Sequence, residues 1–290
     1  MAIIAISRGT FSGGKAIAEN VAQRLGYKCI SREMLRDAAR DYGVSLDELS
    51  EALNKPPGAL HGSDKTRMKY LAYIRVELLK AIKDENVVYH GLAGNLLLCD
   101  VPHLLGVRVI AGMEYRTEAA MERMNLMRTD AIDFIKKIDK KRDKWVKYLY
   151  NVDRNDPSLY SLVINLDHID IEDACGIICT NASQNEYQRT PESQKRLNDL
   201  ILAAEVKARI ASDNGIKNSH ICIDALDGLI TLSGNVTFIK DADRIRVATL
   251  DTPGVRDIDS KMKVMTITQA VGQFLQNKLP KTQRRQVTIV

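Results

Sequence analysis

The segment Gly9-Thr10-Phe11-Ser12-Gly13-Gly14-Lys15 limits what this chain can fold into more than any other. It follows MAIIAIS, a short apolar run whose Ile3, Ile4 and Ile6 suit a buried strand of a parallel sheet. It precedes Ala16 to Leu25, where Ile17, Val21 and Leu25 recur at helical spacing and Gly26 supplies a stop. Strand, glycine-rich turn and helix, in that order, are the context of a phosphate-binding loop. The helix start presents N–H groups without intrahelical partners and roughly half a positive charge. Glycines let the turning backbone aim further amides at one anion, and Lys15 adds an ammonium. The spacing fits G-x-x-x-x-G-K, but Ala16 stands where a Ser or Thr hydroxyl would hold Mg²⁺. A tight turn that uses glycine only for packing is the alternative; the flanking strand and helix favour phosphate.

Past this loop the pattern continues as alternating strands and helices. Tyr27 to Ile30, Asn86 to Gly91, Val107 to Ala111 and Ser161 to Asn165 read as strands. Between them lie helical stretches: one from a Ser31 cap through Gly43, one opened by the capping box Ser45-Leu46-Asp47-Glu48, then Lys65 to Lys83 and a short one from Leu96. Glu114 to Arg128, Thr129 to Lys147 and Ile171 to Ala182 are also helical. Asn54 to Asp64, with Pro56-Pro57-Gly58, reads as a loop. Such alternation predicts a parallel α/β sheet with helices on both faces.

The pattern changes after Asn185. Thr190-Pro191 is a helix start, Ser193 to Ile210 an amphipathic helix, and Asp227-Gly228 a hairpin turn between strands His220 to Ala225 and Leu229 to Val236. A helix over Asp241 to Thr249 and a strand over Val255 to Lys263 complete α-β-β-α-β, a small α+β domain. Thr266 to Asn277 reads as a last helix, and Lys278, Lys281, Arg284 and Arg285 make the end basic. The expected division is residues 1–184, 191–264 and 265–290.

A net charge of +5 suits phosphorylated ligands and is too small to argue for nucleic acid. Five scattered cysteines read as reduced core thiols, Cys175 and Cys179 included, in a cytoplasmic protein. No apolar run reaches the roughly 18 residues of a membrane span, and the N-terminus lacks the basic leader of a secretion signal.

Ile6-Ser7-Arg8, Ser12-Gly13-Gly14-Lys15, Leu25-Gly26-Tyr27 and Arg32-Glu33 together resemble the opening of the cytidylate kinase-like family, a branch of the P-loop nucleoside monophosphate kinases. Asp139-Lys140-Lys141-Arg142 and Val152 to Tyr160 (VDRNDPSLY) resemble its lid helix and the segment before its last strand. The resemblance spans about residues 1–182. Asp227-Gly228-Leu229-Ile230-Thr231-Leu232-Ser233-Gly234-Asn235-Val236 and Pro253-Gly254-Val255 resemble the BON domain, whose members bind membranes, phospholipid or proteins.

The resemblance implies ATP-dependent phosphoryl transfer to a nucleoside monophosphate or a related small acceptor, with Mg²⁺. Phe11, Ser12, Gly13, Gly14, Lys15 and Ala16 would cradle ATP. Lys15, Arg142, Asp139 and Arg116 would serve catalysis, with Asp139 orienting Arg142 or pairing with it at i, i+3. Arg8 and Arg32 would hold the acceptor's phosphate. Arg123 and Arg128 are further lid candidates. No metal ligand is identified: Ala16 lacks the hydroxyl, and His90-Gly91 replaces an acid at the end of the third strand. His90 reads either as an acid–base group or, more commonly for such a position, as a histidine hydrogen-bonded at a strand end. Leu92 stands where the family has an arginine. A catalytically weak nucleotide sensor, whose BON-like domain binds a protein or phospholipid partner, is therefore the second reading. A purely structural adaptor is the third; Lys15 and the glycines speak against it.

Overall fold

The computed structural model describes residues 2–54, 64–91, 94–216 and 220–264. The expected loop over 55–63, Leu92, the closing helix over 266–277 and the basic end with Lys278, Lys281, Arg284 and Arg285 lie outside the described residues. The chain divides into two compact units, Met1–Asn198 and Asp199–Val290.

In the first unit, β1 (Ile3–Arg8) leads into α1 (Gly14–Leu25), and β2 (Lys28–Ile30) into α2 (Glu33–Tyr42). Helices α3 (Leu46–Asn54) and α4 (Asp64–Ala81) precede β3 (Val87–His90) and the short α5 (Gly94–Leu97). Then come β4 (Leu104–Ile110), α6 (Met113–Met124), α7 (Arg128–Tyr150), β5 (Leu162–Asn165) and α8 (Ile171–Ala182). The five strands pair in the order β2-β3-β1-β4-β5, and every pairing is parallel. All strand C-termini therefore lie on one edge, where ligands of open α/β sheets bind. On one face Ile4, Ile6, Val88, Val107 and Val109 pack with Ile17, Ala18 and Val21 of α1 and with Ala174, Cys175 and Ile178 of α8. Trp145 of α7 is fully buried and donates to the Ala52 carbonyl at 2.9 Å. That bond anchors the long α7 to α3.

Several local expectations are corrected. Ser31 does not cap α2; its amide donates to Glu33 at 2.5 Å, and the cap residue is Arg32. Strand β4 begins three residues before the expected Val107, at Leu104. The glycine at 106 obscures that start, yet a Cβ there would collide with the Asn95 carboxamide. The cysteines are not all core thiols: Cys175 is buried, whereas Cys99 and Cys222 are exposed.

The chain passes between units within α9 (Pro191–Ser212), whose Thr190 cap accepts from the Ser193 amide at 3.1 Å. In the second unit β6 (His220–Leu226) and β7 (Leu229–Val236) are antiparallel, with Asp227 and Gly228 at φ 51° and 83°. Two consecutive left-handed residues make the hairpin turn that matches strand twist. Helix α10 (Ile239–Leu250) precedes β8 (Asp257–Val264), which pairs parallel to β7. Val206, Ile210, Ile230, Leu232, Val236 and Ile245 form its core.

One buried group couples the fold to pH. His103 is fully buried, and neither ring nitrogen has a hydrogen-bond partner among the described residues. Burial, and secondarily the Arg189 charge, push its pKa from 6.5 down to about 4. The unfolded chain takes up a proton below 6.5 that the folded chain refuses, so stability falls as pH drops from 6.5 to about 4. The slope is up to about 1.4 kcal/mol per pH unit. Urea unfolding of the native protein and His103→Leu across this window should show the native protein losing stability faster on acidification; parallel curves would refute the assignment.

Candidate functional site

The turn between β1 and α1 is held open by two left-handed residues, Phe11 at φ 59° and Gly13 at φ 72°. A Cβ on Gly13 would meet Leu166 Cδ1 at 2.7 Å and the Tyr115 hydroxyl at 3.1 Å, and one on Gly14 would meet Arg8 Cβ at 2.7 Å. Glycine is thus required at 13 for both conformation and space. Ser12 turns inward, its hydroxyl 3.2 Å from the Gly9 carbonyl and 3.1 Å from that of Val109. It secures the loop instead of facing a ligand. Its amide approaches the Gly9 carbonyl at 3.5 Å, but the amides of Phe11, Gly13, Gly14, Lys15 and Ala16 donate to nothing among the described residues. They are a row of donors at a helix N-terminus with no internal acceptor. Lys15 lies 3.4 Å from Glu19, and both side chains are about half exposed.

These residues line a cleft of about 880 Å³ that is also lined by Tyr115, Arg123, Phe134 and Lys141. A second, narrower pocket adjoins it, lined by Ser7, Tyr89, Asn95, Arg154 and Tyr160. Arg8, Arg32 and Arg142 line both. Burial and then the charges of Arg8 and Arg154 lower the Arg142 pKa to about 10, so it stays charged at neutral pH. Burial, Arg32 and Arg123 lower that of Arg8. The Arg8 Nε is buried without a partner, and neither Arg8 nor Arg32 has a carboxylate within ion-pair distance among the described residues. Cations that repel one another and touch no carboxylate mark a place for an anion.

Behind this wall Asp139 of α7 accepts from the Thr10 hydroxyl at 2.8 Å, pairs with Arg116 of α6, and lies 3.4 Å from Arg154. Burial alone would raise its pKa; the hydrogen bonds from Arg116 and Thr10 overcome that and hold it low. Asp139 does not meet Arg142, as the i, i+3 spacing suggested. The Arg142 guanidinium donates to Thr10 Oγ1 at 3.1 Å, so the hydroxyl stands between them. Arg116 also donates to the Thr10 carbonyl at 2.7 Å, which commits its guanidinium to the loop's backbone. Arg128 pairs with Glu114 at the surface, and Arg123 lines the cleft. His90 lacks the expected hydrogen bond among the described residues: its buried Nδ1 has no partner there, and burial followed by Arg8 lowers its pKa.

Ala16 lies along the cleft, where the side-chain oxygens are the hydroxyls of Thr10, Ser12 and Tyr115 and the carboxylates of Glu19 and Glu122. Among the described residues no cluster of three or more His, Cys, Asp or Glu side chains could hold a metal. Mg²⁺ ordinarily takes one or two carboxylates together with phosphate oxygens and water, and Glu19 and Glu122 are the carboxylates that line this cleft. Sequence reasoning gave no role to Thr10, Arg108 or Arg154. Arg108 was visible as an arginine inside an apolar strand; it is buried, donating to Ser7 and to Asn155 at 3.2 Å each. Arg154 sits in VDRNDPSLY, whose Tyr160 donates to the Arg154 carbonyl at 2.8 Å.

Residues 3–168 match the model of the cytidylate kinase-like family, and residues 198–266 match that of the BON domain. A cytidylate kinase from Saccharolobus islandicus strain L.S.2.15 is 24% identical over 198 residues, which cover 68% of this chain and 99% of that protein. A cytidylate kinase from Sulfurisphaera tokodaii is 28% identical over 177 residues, 61% of this chain and 92% of that protein. The crystal structure of an uncharacterized protein from Eubacterium ventriosum ATCC 27560 superposes with a TM-score of 0.51 at 21% identity, covering 63% of this chain and 100% of that one. That is a likeness of fold.

The glycine geometry is testable by contrast. Gly13→Ala should destabilise by about 1–3 kcal/mol, since alanine at that φ is strained and crowded. Gly176→Ala, inside α8 with nothing within 4 Å of the new methyl, should stabilise by roughly 0.5–1 kcal/mol. Urea midpoints that move in the same direction for both variants would contradict the loop geometry.

Proposed function

The chain belongs to the cytidylate kinase-like family, and on that premise we propose that it transfers a phosphoryl group from ATP to a nucleoside monophosphate or a related small phosphorylated acceptor. One observation carries the reading: Arg8, Arg32 and Arg142 line two adjoining cavities at once, beside a row of loop amides without internal acceptors. Phosphoryl transfer needs alignment and charge neutralisation more than covalent chemistry. The amides from Gly13 to Ala16 would hold the β- and γ-phosphates. Lys15 would leave Glu19 for the outer phosphates, its exposed pair being worth little. Arg142, where the cavities meet, would face the transferring group, with Arg8 and Arg32 on the acceptor's phosphate. Mg²⁺ would neutralise part of the donor charge.

The sensor reading keeps one observation in its favour. Ala16 offers no hydroxyl to a metal, so the site could bind ATP tightly and transfer slowly. For the unit matched by the BON model we propose a protein or phospholipid partner. The outward side of α10 exposes Ile239, Val247 and Leu250. Among the described residues no helix is long and apolar enough to cross a membrane.

Lys15→Ala should weaken ATP binding at least tenfold by calorimetry, the order expected for losing one charge-assisted contact. Unchanged affinity would remove the phosphate-loop assignment. ADP release with CMP, dCMP, UMP and AMP then separates the readings: turnover with any acceptor supports a kinase, and tight ATP binding without turnover supports a sensor.

A further inference from the structure

We infer that Thr10 is a positioning residue: its hydroxyl fixes the Arg142 guanidinium at the junction of the two cavities by relaying the hold of Asp139. This rests on the phosphoryl-transfer reading of the site.

Thr10 is 6% exposed and sits in the loop that joins β1 to α1. Three side chains from α6 and α7 converge on it. Its hydroxyl donates to Asp139 Oδ1 at 2.8 Å and accepts from Arg142 Nη1 at 3.1 Å, and its carbonyl accepts from Arg116 Nε at 2.7 Å. A hydroxyl has one proton. Asp139, a carboxylate, can only accept, so that proton points at Asp139 and the lone pairs are left for Arg142. The carboxylate thereby sets the polarity of the bridge. Nothing else among the described residues accepts a hydrogen bond from the Arg142 guanidinium; Arg8 and Arg154 repel it, and Asp139 attracts it without touching it. The bridge gives that attraction a direction at the point where the cavities meet. Position 10 is one of the unspecified places in G-x-x-x-x-G-K, so the role comes from the fold and not from the motif.

The readout is the ratio of ATP to ADP affinity by calorimetry, which isolates contacts to the terminal phosphate. Thr10→Val keeps the shape and removes the relay; Thr10→Ser keeps the relay. Thr10→Val should lower the ATP preference about tenfold with ADP affinity unchanged, while Thr10→Ser keeps it. Arg142→Ala should lower it as well, and the double variant Thr10→Val with Arg142→Ala should fall no further than Arg142→Ala alone. A purely structural role for Thr10 would move ADP and ATP together and would add to the Arg142 effect; either result overturns the inference. So does a native protein that binds ATP and ADP equally. An ATP preference that survives in Thr10→Val sinks the relay and leaves the phosphoryl-transfer reading standing. A native protein that binds neither nucleotide sinks both. If Thr10→Val does not fold by circular dichroism, Thr10→Ala, which cannot overpack, is measured in its place.

Discussion

Arg8, Arg32 and Arg142 share one small region without a carboxylate in ion-pair contact with any of them among the described residues, and most of the first unit serves to keep them there. Arg8 ends the central strand, and Arg32 follows the end of β2. Parallel pairing from β2 to β5 obliges both to emerge on the same edge as the N-terminus of α1. A sheet with one antiparallel strand here would scatter them. Repulsion among the guanidiniums and their burial both oppose folding, which is why the pKa values of Arg8 and Arg142 fall. The apolar layer of Ile4, Ile6, Val107 and Val109 against α1 and α8 offsets that cost. Local instability at a site, sustained by packing elsewhere, is the usual signature of a functional cavity.

The positive cluster also needs an anchor that does not neutralise it. Asp139 fills that role by standing behind the wall. It meets Arg116, Arg154 and Thr10 but not the three arginines at the cavity junction. A carboxylate in direct contact with Arg142 would occupy the guanidinium face that an anion needs. A hydroxyl between them keeps the orientation and leaves the charge available. The neighbouring cluster of Ala120, Ala131 and Ile135, with Phe11 against it, ties α6 and α7 to the same loop. Phe11 adopts φ 59°, a conformation bulky residues avoid, and its ring lies 6.3 Å from that of Phe134. Packing under the two helices is what makes that backbone tolerable.

How much of this could be read from the chain depends on the distance over which each feature is decided. The strand, turn and first helix are local: Ile3, Ile4 and Ile6, Gly13, Gly14 and Gly26 act through their own backbone and nearest turn, and their pattern points to the observed elements. The Asp227-Gly228 hairpin is local in the same sense. The start of β4 was hidden because Gly106 weakens the strand signal for a reason that lies at Asn95, on another element. Of the two readings of Asp139, orienting Arg142 or pairing with it at i, i+3, the direct pair is not formed, because helical spacing makes contact possible without making it preferred. The competing partner, Thr10, is 129 residues away in sequence. Arg108 carried a legible anomaly, a charge within an apolar strand, but its partners Ser7 and Asn155 come from two other segments. Spacing finds what one element presents; only topology decides what two elements share.

Ala16 then changes how charge would be balanced. A Ser or Thr there would hold Mg²⁺ on the protein and place two positive charges at a fixed point. With a methyl group instead, the positive charge the protein itself offers is that of Lys15 and of guanidiniums, and this site brings Arg8, Arg32, Arg142 and Arg154 within mutual influence. Guanidiniums differ from a metal ion in one physical respect: they are tethered, planar donors whose direction matters as much as their charge. A misplaced arginine loses its hydrogen bonds even while its charge remains nearby. A site that relies on arginines therefore has to spend structure on orienting them. On the proposed reading, a threonine hydroxyl, a half-buried aspartate and a long helix anchored by Trp145 serve that orientation.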